Sequence, residues 1–145
     1  MLEIKPFVCQ TDRHRLSAEL QQGDQRFTLY FASPDIELAP RNEALLAAAA
    51  LPAMKRRLKE IRLSGGPVSQ RFLENLQGVQ AFFRQFKPAY QPFRVLGVEP
   101  QPASPSAEGR VGLFFSGGID SFYTLLQNQA EITDLIFLHG YDQAL

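Results

Sequence analysis

The chain has 145 residues, of which 15 are basic and 15 acidic, so the formal net charge is zero. A hydrophobic share of 45% excludes a mostly disordered chain, and no run approaches the roughly 18 consecutive apolar residues of a membrane span. The charged N-terminus is unlike a secretory signal, and the single Cys9 excludes an internal disulfide or a zinc cluster built from thiolates. We therefore expect a cytoplasmic globular protein that makes no membrane contact.

The zero net charge conceals an asymmetry along the chain. Residues 1–100 hold 14 basic and 10 acidic side chains, whereas residues 101–145 hold 1 basic and 5 acidic. One interpretation of the basic excess is a solvated helix end, where cations interact favourably with the negative end of the helix dipole. The other is a small docking patch for nucleic acid or another polyanion. The helix-end interpretation is the simpler one. The excess is concentrated in a cluster that consists of Lys55, Arg56, Arg57, Lys59 and Arg62.

The first part of the chain begins with predicted strands. Residues 2–8 favour a first strand, and apolar residues then alternate with polar ones along two further runs. The segment between these runs, QQGD, supplies turn residues, so the pattern predicts a β-hairpin. The alternating apolar residues are Leu16, Ala18 and Leu20 in one run and Phe27, Leu29 and Phe31 in the other.

A helix is predicted from Asn42 onward, where the sequence becomes rich in alanine and leucine. Asn42 is placed to cap this helix, and Glu43 lies in its first turn. Pro52 is expected to kink or split the helix because proline lacks an amide donor and crowds the preceding turn.

A short strand over residues 58–63, a second helix over 69–86 and a strand over 93–98 follow. The segment SGGPVS before the second helix is predicted to be a turn in which Ser69 caps that helix. Residues 1–98 are thus predicted to form a small α+β accessory domain without a catalytic motif. The helix has apolar residues at three- and four-residue steps, which predicts one buried face consisting of Phe72, Leu76, Val79, Phe83 and Phe86.

A boundary is predicted at residues 99–109, where three prolines and several small polar residues indicate an extended linker. Residues 111–115 then form an apolar run typical of a strand buried on both faces of a parallel sheet. The hexapeptide SGGIDS follows directly, then helical residues 122–129 and a second apolar strand over 135–138. This order predicts a β-loop-α-β unit with parallel strands.

The hexapeptide has the composition of a phosphate-binding loop. Gly117 and Gly118 permit backbone conformations closed to other residues and let a ligand approach the amides, which form an anion site with the N-terminus of the helix. Ser116 and Ser121 add hydroxyl donors. Because Asp120 would repel a bare phosphate, we expect it to hold a divalent cation that bridges phosphate oxygens. The loop therefore indicates a magnesium–nucleotide site.

These residues resemble a known family signature. SGGIDS after an apolar strand is similar to the SGGxDS motif of the PP-loop, or N-type, ATP pyrophosphatases. That superfamily includes the synthetase domains of asparagine and GMP synthetases, NAD synthetase, tRNA-thiolating and lysidine-forming enzymes, and 7-cyano-7-deazaguanine synthase. The resemblance implies an α/β fold in which residues 110–145 begin an open parallel, adenine nucleotide alpha hydrolase-like sheet.

The resemblance also implies a reaction and the residues that serve it. The loop would hold the pyrophosphate portion of ATP, Asp120 would bind Mg²⁺, and Asp120 and Ser121 would take part in catalysis. A substrate oxygen would attack the α-phosphorus to give an adenylate and pyrophosphate, and ammonia, an amine or sulfur would then displace AMP. The residues implied to contact ATP are Ser116, Gly117, Gly118, Ile119, Asp120 and Ser121 in the loop, and Leu138 and His139 near the adenine.

The resemblance implies a domain with about five parallel strands. An isolated strand pair is not stable alone. We therefore expect this chain to be the N-terminal part of a longer ATP-dependent adenylating enzyme, or a truncated reading frame, and to be inactive alone. The acceptor substrate is unidentified. A ligase that forms an amide or nitrile from a small carboxylate is favoured over a tRNA-modifying enzyme, although the basic cluster keeps nucleic acid open as a partner. A non-catalytic nucleotide-binding protein is a further hypothesis.

Overall fold

The computed structural model describes residues 1–7, 13–102 and 109–138. The chain is a mixed α/β protein that divides into two compact units, Met1–Ser104 and Pro105–Leu145. The described elements of the first unit are β1 (Leu2–Phe7), β2 (Arg15–Gln22), β3 (Gln25–Ala32), α1 (Asn42–Lys55), β4 (Glu60–Leu63), β5 (Pro67–Ser69), α2 (Gln70–Phe86), β6 (Arg94–Leu96) and β7 (Glu99–Gln101). Those of the second unit are β8 (Gly112–Phe114), α3 (Ile119–Asn128) and β9 (Asp134–Ile136).

The hairpin predicted from the alternating residues is confirmed. Strands β2 and β3 pair antiparallel with Gln22 opposite Gln25, which leaves Gly23 and Asp24 as a two-residue turn. Gly23 has a φ of +59°, the left-handed conformation that such short hairpin turns require and that glycine adopts without strain. The predicted first strand is also confirmed as β1, up to Phe7, while Val8 and Cys9 lie outside the described residues.

Five strands of the first unit form one mixed sheet in the order β3-β2-β1-β4-β6. Strand β1 runs antiparallel to β2 and parallel to β4, and β4 runs parallel to β6. Alternate residues of the central strands point to one face, where they pack with buried residues of α1 and with Leu76 of α2. The fully buried large side chains of this core are Ile4, Leu45, Leu46, Met54, Ile61, Leu63 and Val68.

Helix α1 differs from the prediction at both ends. Arg41, not Asn42, is the N-cap residue, and it makes no side-chain capping bond. The Asn42 amide instead donates to the Pro67 carbonyl oxygen at 3.1 Å, since strand β5 lies against the start of the helix. Pro52 does not split the helix, which continues to Lys55. Pro52 lies in the last turn, so its missing amide removes a single helical hydrogen bond, and the buried residues Ala53 and Met54 keep that turn on the core.

The buried face of α2 is only partly the predicted one. Leu76 is buried and Phe72 and Phe83 are half-buried, but Val79 and Phe86 are 46% and 73% exposed. Gln80 is buried instead, because its side-chain oxygen accepts a 2.7 Å hydrogen bond from the Phe93 amide at the entry to β6. The buried arc therefore turns toward Gln80 and away from Val79 and Phe86, which lie about 60° and 80° around the helix from Leu76.

The predicted cap of α2 is confirmed. The Ser69 hydroxyl accepts a hydrogen bond from the Phe72 amide at 3.3 Å, and Gly65 and Gly66 in the preceding turn both have positive φ. Residues 99–101, the beginning of the predicted linker, form strand β7, which pairs in parallel with β5. No helix in the described part of the chain has the length and apolarity that crossing a membrane requires.

Ser69→Ala is expected to lower the free energy of unfolding by about 1 kcal/mol, because it removes the acceptor for the Phe72 amide. Ser64→Ala is the matched control, since the Ser64 hydroxyl has no hydrogen-bond partner among the described residues. Urea denaturation followed by circular dichroism measures both changes. Equal effects of the two substitutions would contradict the capping role of Ser69.

Candidate phosphate-binding loop

The predicted β-loop-α-β order is confirmed in the second unit. Strands β8 and β9 pair in parallel, with Leu113 opposite Leu135, and α3 connects them. The Phe115 amide continues the ladder by donating to the Ile136 carbonyl oxygen at 2.8 Å. The end of β9 is thereby fixed beside the start of the SGGIDS loop.

The prediction that the strand within residues 111–115, β8, is buried on both faces is wrong. Phe114 is 67% exposed and Val111 is also exposed, as is Leu135 of the neighbouring strand β9. The physical reason is the size of the sheet: the described residues of the second unit provide two strands and one helix, and these leave both faces of the pair largely uncovered. An apolar run indicates a strand suited to burial, but it does not supply the layers that cover it.

The loop presents backbone amides at the start of α3. Gly117 has a φ of +77°, so this position favours glycine, and Gly118 is the N-cap residue in extended conformation. A helix that begins at Ile119 leaves the amides of Ile119, Asp120 and Ser121 without intrahelical acceptors. The cap has no side chain to accept from them, and no side-chain capping bond is made. These amides are available to an anion.

Two serine hydroxyls hold the ends of the loop together. The Ser121 hydroxyl donates to the Gly118 carbonyl oxygen at 2.7 Å, and the Ser116 hydroxyl accepts from the Gly118 amide at 3.3 Å. The two hydroxyl oxygens are 3.4 Å apart. The hexapeptide is therefore closed by its own polar side chains, while Ser116, Gly117, Gly118 and Asp120 stay exposed.

Asp120 lies in the first turn of α3 and is exposed. The Thr124 hydroxyl donates to the Asp120 backbone carbonyl oxygen at 2.8 Å. Among the described residues, no hydrogen bond orients the Asp120 carboxylate. A carboxylate here interacts favourably with the positive end of the helix dipole even without a ligand. No group of three potential ligands among His, Cys, Asp and Glu exists in the described ranges, so Asp120 would supply one ligand to a cation.

The structure brings together the six loop residues predicted to contact ATP, but not the whole predicted site. Leu138, predicted to lie near the adenine, is described and exposed two residues beyond β9. His139 lies outside the described residues. Residues 109–138 include no histidine, cysteine or lysine, so what the loop presents is a surface of backbone amides and hydroxyls with one carboxylate.

An ion pair that the sequence analysis did not identify joins the two strands of this unit. The Arg110 Nε donates to Asp134 Oδ2 at 3.0 Å, and a second bond joins the same two side chains. The Thr133 hydroxyl also donates to Asp134 Oδ2, at 2.6 Å. Parallel pairing of the two predicted strands would have indicated this ion pair. Such pairing places Arg110, just before β8, near Asp134, the first residue of β9.

The Asp134 carboxyl is expected to titrate near pH 2. Hydrogen bonds from Arg110 and then Thr133 lower its pKa to about 2, against a usual value of about 3.9. The pair therefore contributes to stability above about pH 3.9 and loses that contribution as the pH falls through about 2. Carbon-detected NMR measures the titration. Arg110→Gln should move the midpoint upward and Arg13→Gln should not; an unchanged midpoint in Arg110→Gln would contradict the assignment.

Comparison of the chain with protein-family models, with curated proteins and with solved structures found no match. The functional inference therefore depends on the loop itself.

Proposed function

We propose that the second unit binds the triphosphate of ATP, and that the protein belongs to the PP-loop ATP pyrophosphatases, with the open parallel, adenine nucleotide alpha hydrolase-like sheet of that superfamily. The single observation that carries the proposal is the agreement of motif and geometry. SGGIDS lies between a strand and a helix, with Gly117 in the left-handed conformation and three amides without intrahelical acceptors at the start of α3.

The loop geometry supports a binding role for each residue. The amides of Ile119, Asp120 and Ser121 and the positive end of α3 bind the pyrophosphate portion of ATP. Ser116 and Ser121 shape the loop through their bonds to Gly118. Gly118 lets a phosphate approach the amides because it carries no side chain. The catalytic contribution of these groups is to position the triphosphate and stabilise its charge.

Magnesium fits the donor set at Asp120. Mg²⁺ in nucleotide sites is commonly held by one or two carboxylates, phosphate oxygens and water rather than by a full cage of protein ligands, and Asp120 is a single exposed carboxylate beside the amides. When bound, the ion would neutralise negative charge on the pyrophosphate leaving group. Asp120 would hold it at the first turn of α3.

The proposed reaction is adenylation of an acceptor oxygen. That oxygen attacks the α-phosphorus, the bond from the α-phosphorus to the pyrophosphate breaks, and a nitrogen or sulfur nucleophile later displaces AMP. We propose a cytoplasmic ligase that forms an amide or nitrile from a small carboxylate. A tRNA-modifying enzyme is the second candidate, favoured by the basic surface of the first unit described below.

Titration calorimetry tests the proposal on the full chain. We expect ATP to bind in the presence of Mg²⁺, to bind more weakly with EDTA, and to bind more tightly than AMP, because the loop contacts the β- and γ-phosphates that AMP lacks. Equal affinity for ATP and AMP, or no binding of either, would contradict a pyrophosphate-binding loop.

A further inference from the structure

The first unit gathers basic side chains at one end of its sheet. Strands β1, β4 and β6 run in the same direction and β2 runs oppositely, so the β2–β3 turn lies at the same end as the starts of the parallel strands. Glu60 at the start of β4 is opposite Arg94 at the start of β6, and the Arg94 amide donates to the Lys59 carbonyl oxygen at 2.9 Å. We call the end of the sheet that carries the β2–β3 turn and the starts of β1, β4 and β6 the basic end.

Helix α1 delivers its last turn to the same place. The Arg56 guanidinium donates to the Gln22 side-chain oxygen at 3.0 Å and lies 6.0 Å from the centre of the Phe27 ring, which joins the helix end to the β2–β3 turn. The Gln91 amide donates to the Met54 carbonyl oxygen at 3.2 Å, which brings the segment after α2 beside it. Residues distant in sequence are thus combined. The exposed cations of the basic end are Arg26, Lys55, Arg56, Arg57, Lys59, Lys87 and Arg94.

Acidic neighbours do not neutralise this end. Glu60 pairs with Arg94 at 3.6 Å, and Glu19, further along β2, pairs with Arg26 at 3.8 Å. Glu3 pairs with Lys5, and Asp24 lies in the hairpin turn. In the part of the chain that the structure describes, no ion pair includes the following five cations: Lys55, Arg56, Arg57, Lys59 and Lys87.

Two aromatic side chains accompany the cations. Phe27 is 47% exposed beside Arg56, and the Lys87 ammonium lies 5.6 Å from the centre of the half-buried Tyr90 ring. From β3 to β6 the end of the sheet is about 19 Å wide, since neighbouring strands lie roughly 4.8 Å apart. A row of cations with interspersed aromatic rings suits a single strand of nucleotides, which offers phosphates at regular intervals and bases that stack on rings.

We propose that the basic end binds the sugar–phosphate backbone of a single-stranded nucleic acid. The apolar residues of α1 are buried in the core, so the helix that ends among these cations has no apolar face to insert into an anionic membrane. Val79, Phe82 and Phe86 of α2 are exposed, and the vesicle measurement below tests whether they bind a membrane instead. The basic end shares no residue with the SGGIDS loop, so nucleic-acid binding at this end can be tested separately from ATP binding.

Fluorescence anisotropy with a labelled uridine 12-mer tests the inference over a range of salt concentrations. The test variant combines Lys55→Gln, Arg57→Gln and Lys59→Gln. The control combines Arg13→Gln, Arg41→Gln and Arg71→Gln, which makes the same charge change at exposed cations outside the basic end. Arg13 lies before β2, Arg41 at the start of α1 and Arg71 at the start of α2. The test variant should weaken binding by about tenfold or more and flatten the plot of log affinity against log salt by about 2, because each lost contact to a single strand changes the slope by about 0.7.

The control variant should bind the 12-mer nearly as tightly as the natural chain and with a similar salt slope. Phe27→Ala should weaken binding about fivefold or more without changing that slope, because stacking on a ring releases no counterions. Equal losses in the test and control variants would overturn the inference in favour of a general charge effect. Absent binding at low salt, or binding to phosphatidylserine vesicles but not to the 12-mer, would also overturn it. ATP calorimetry on the same variants identifies a separate failure of the loop proposal.

Discussion

Gly97→Ala is expected to destabilise the first unit strongly. Gly97 has a φ of +74°, and a Cβ atom at this position would overlap the carbonyl oxygen of Leu63. A left-handed conformation costs a non-glycine residue about 1–2 kcal/mol, and the overlap is with backbone, which has to shift at a further cost of about 1–3 kcal/mol. We expect the free energy of unfolding to fall by about 2–5 kcal/mol, measured by urea denaturation.

The position of Gly97 explains why the loss should be large. It directly follows β6, and its carbonyl oxygen accepts a hydrogen bond from the Gly65 amide at 3.2 Å, beside the end of β4. Gly78→Ala is the control, since Gly78 lies within α2 with open space around it. That substitution should stabilise the chain by about 0.5–1 kcal/mol, as alanine is the better helix former. Similar stabilities of the two variants would contradict the proposed close approach at Gly97.

Gly118→Val is expected to abolish measurable ATP binding while leaving the second unit folded. Gly118 has an extended backbone conformation that valine also adopts, and an added Cβ would meet only the Ser116 hydroxyl oxygen, at 3.4 Å. The valine methyl groups would add bulk at the N-cap of α3, beside the amides that a phosphate needs. Titration calorimetry measures the loss, and circular dichroism checks that α3 remains helical.

Asp120→Asn distinguishes the contribution of the cation to ATP affinity from that of the backbone amides. It keeps the size of the side chain and removes the charge, so we expect ATP affinity in Mg²⁺ to fall about tenfold or more and to become nearly independent of the ion. Glu131→Gln makes the same charge change at an exposed carboxylate three residues beyond α3 and should leave affinity unchanged. Asp120→Asn that binds Mg²⁺–ATP as tightly as the natural chain would show that Asp120 serves only the helix dipole.

Local signals predicted much of the fold. Alternation around Gly23 and Asp24 was enough to predict the hairpin, because a two-residue turn and period-2 apolar residues specify each other. The Ser69 cap was predicted because its partner amide is only three residues away. The β-loop-α-β unit was predicted from the order of its elements, each of which has a local sequence pattern, although its two strands pair across more than twenty residues.

Contacts between distant segments account for the errors at the two helices of the first unit. Asn42 was predicted to cap α1 but bonds to Pro67, and Val79 was predicted to be buried but Gln80 takes that place through Phe93. Neither partner is visible from the helix pattern alone. The basic end is a similar case: the sequence showed one cluster near Lys55, and only the strand order adds cations from the hairpin and from β6 to it.

The most direct test of the ATP proposal is an NMR titration of the nitrogen-15-labelled full chain with Mg²⁺–ATP. We expect the amide signals of Gly117, Gly118, Ile119, Asp120 and Ser121 to shift together and to saturate with one affinity, and we expect AMP not to reproduce the effect. Amides of the core strands β1 and β4 should not move. Saturable shifts confined to the first unit, or no shifts at millimolar ATP, would contradict the proposal that SGGIDS is a nucleotide-binding loop.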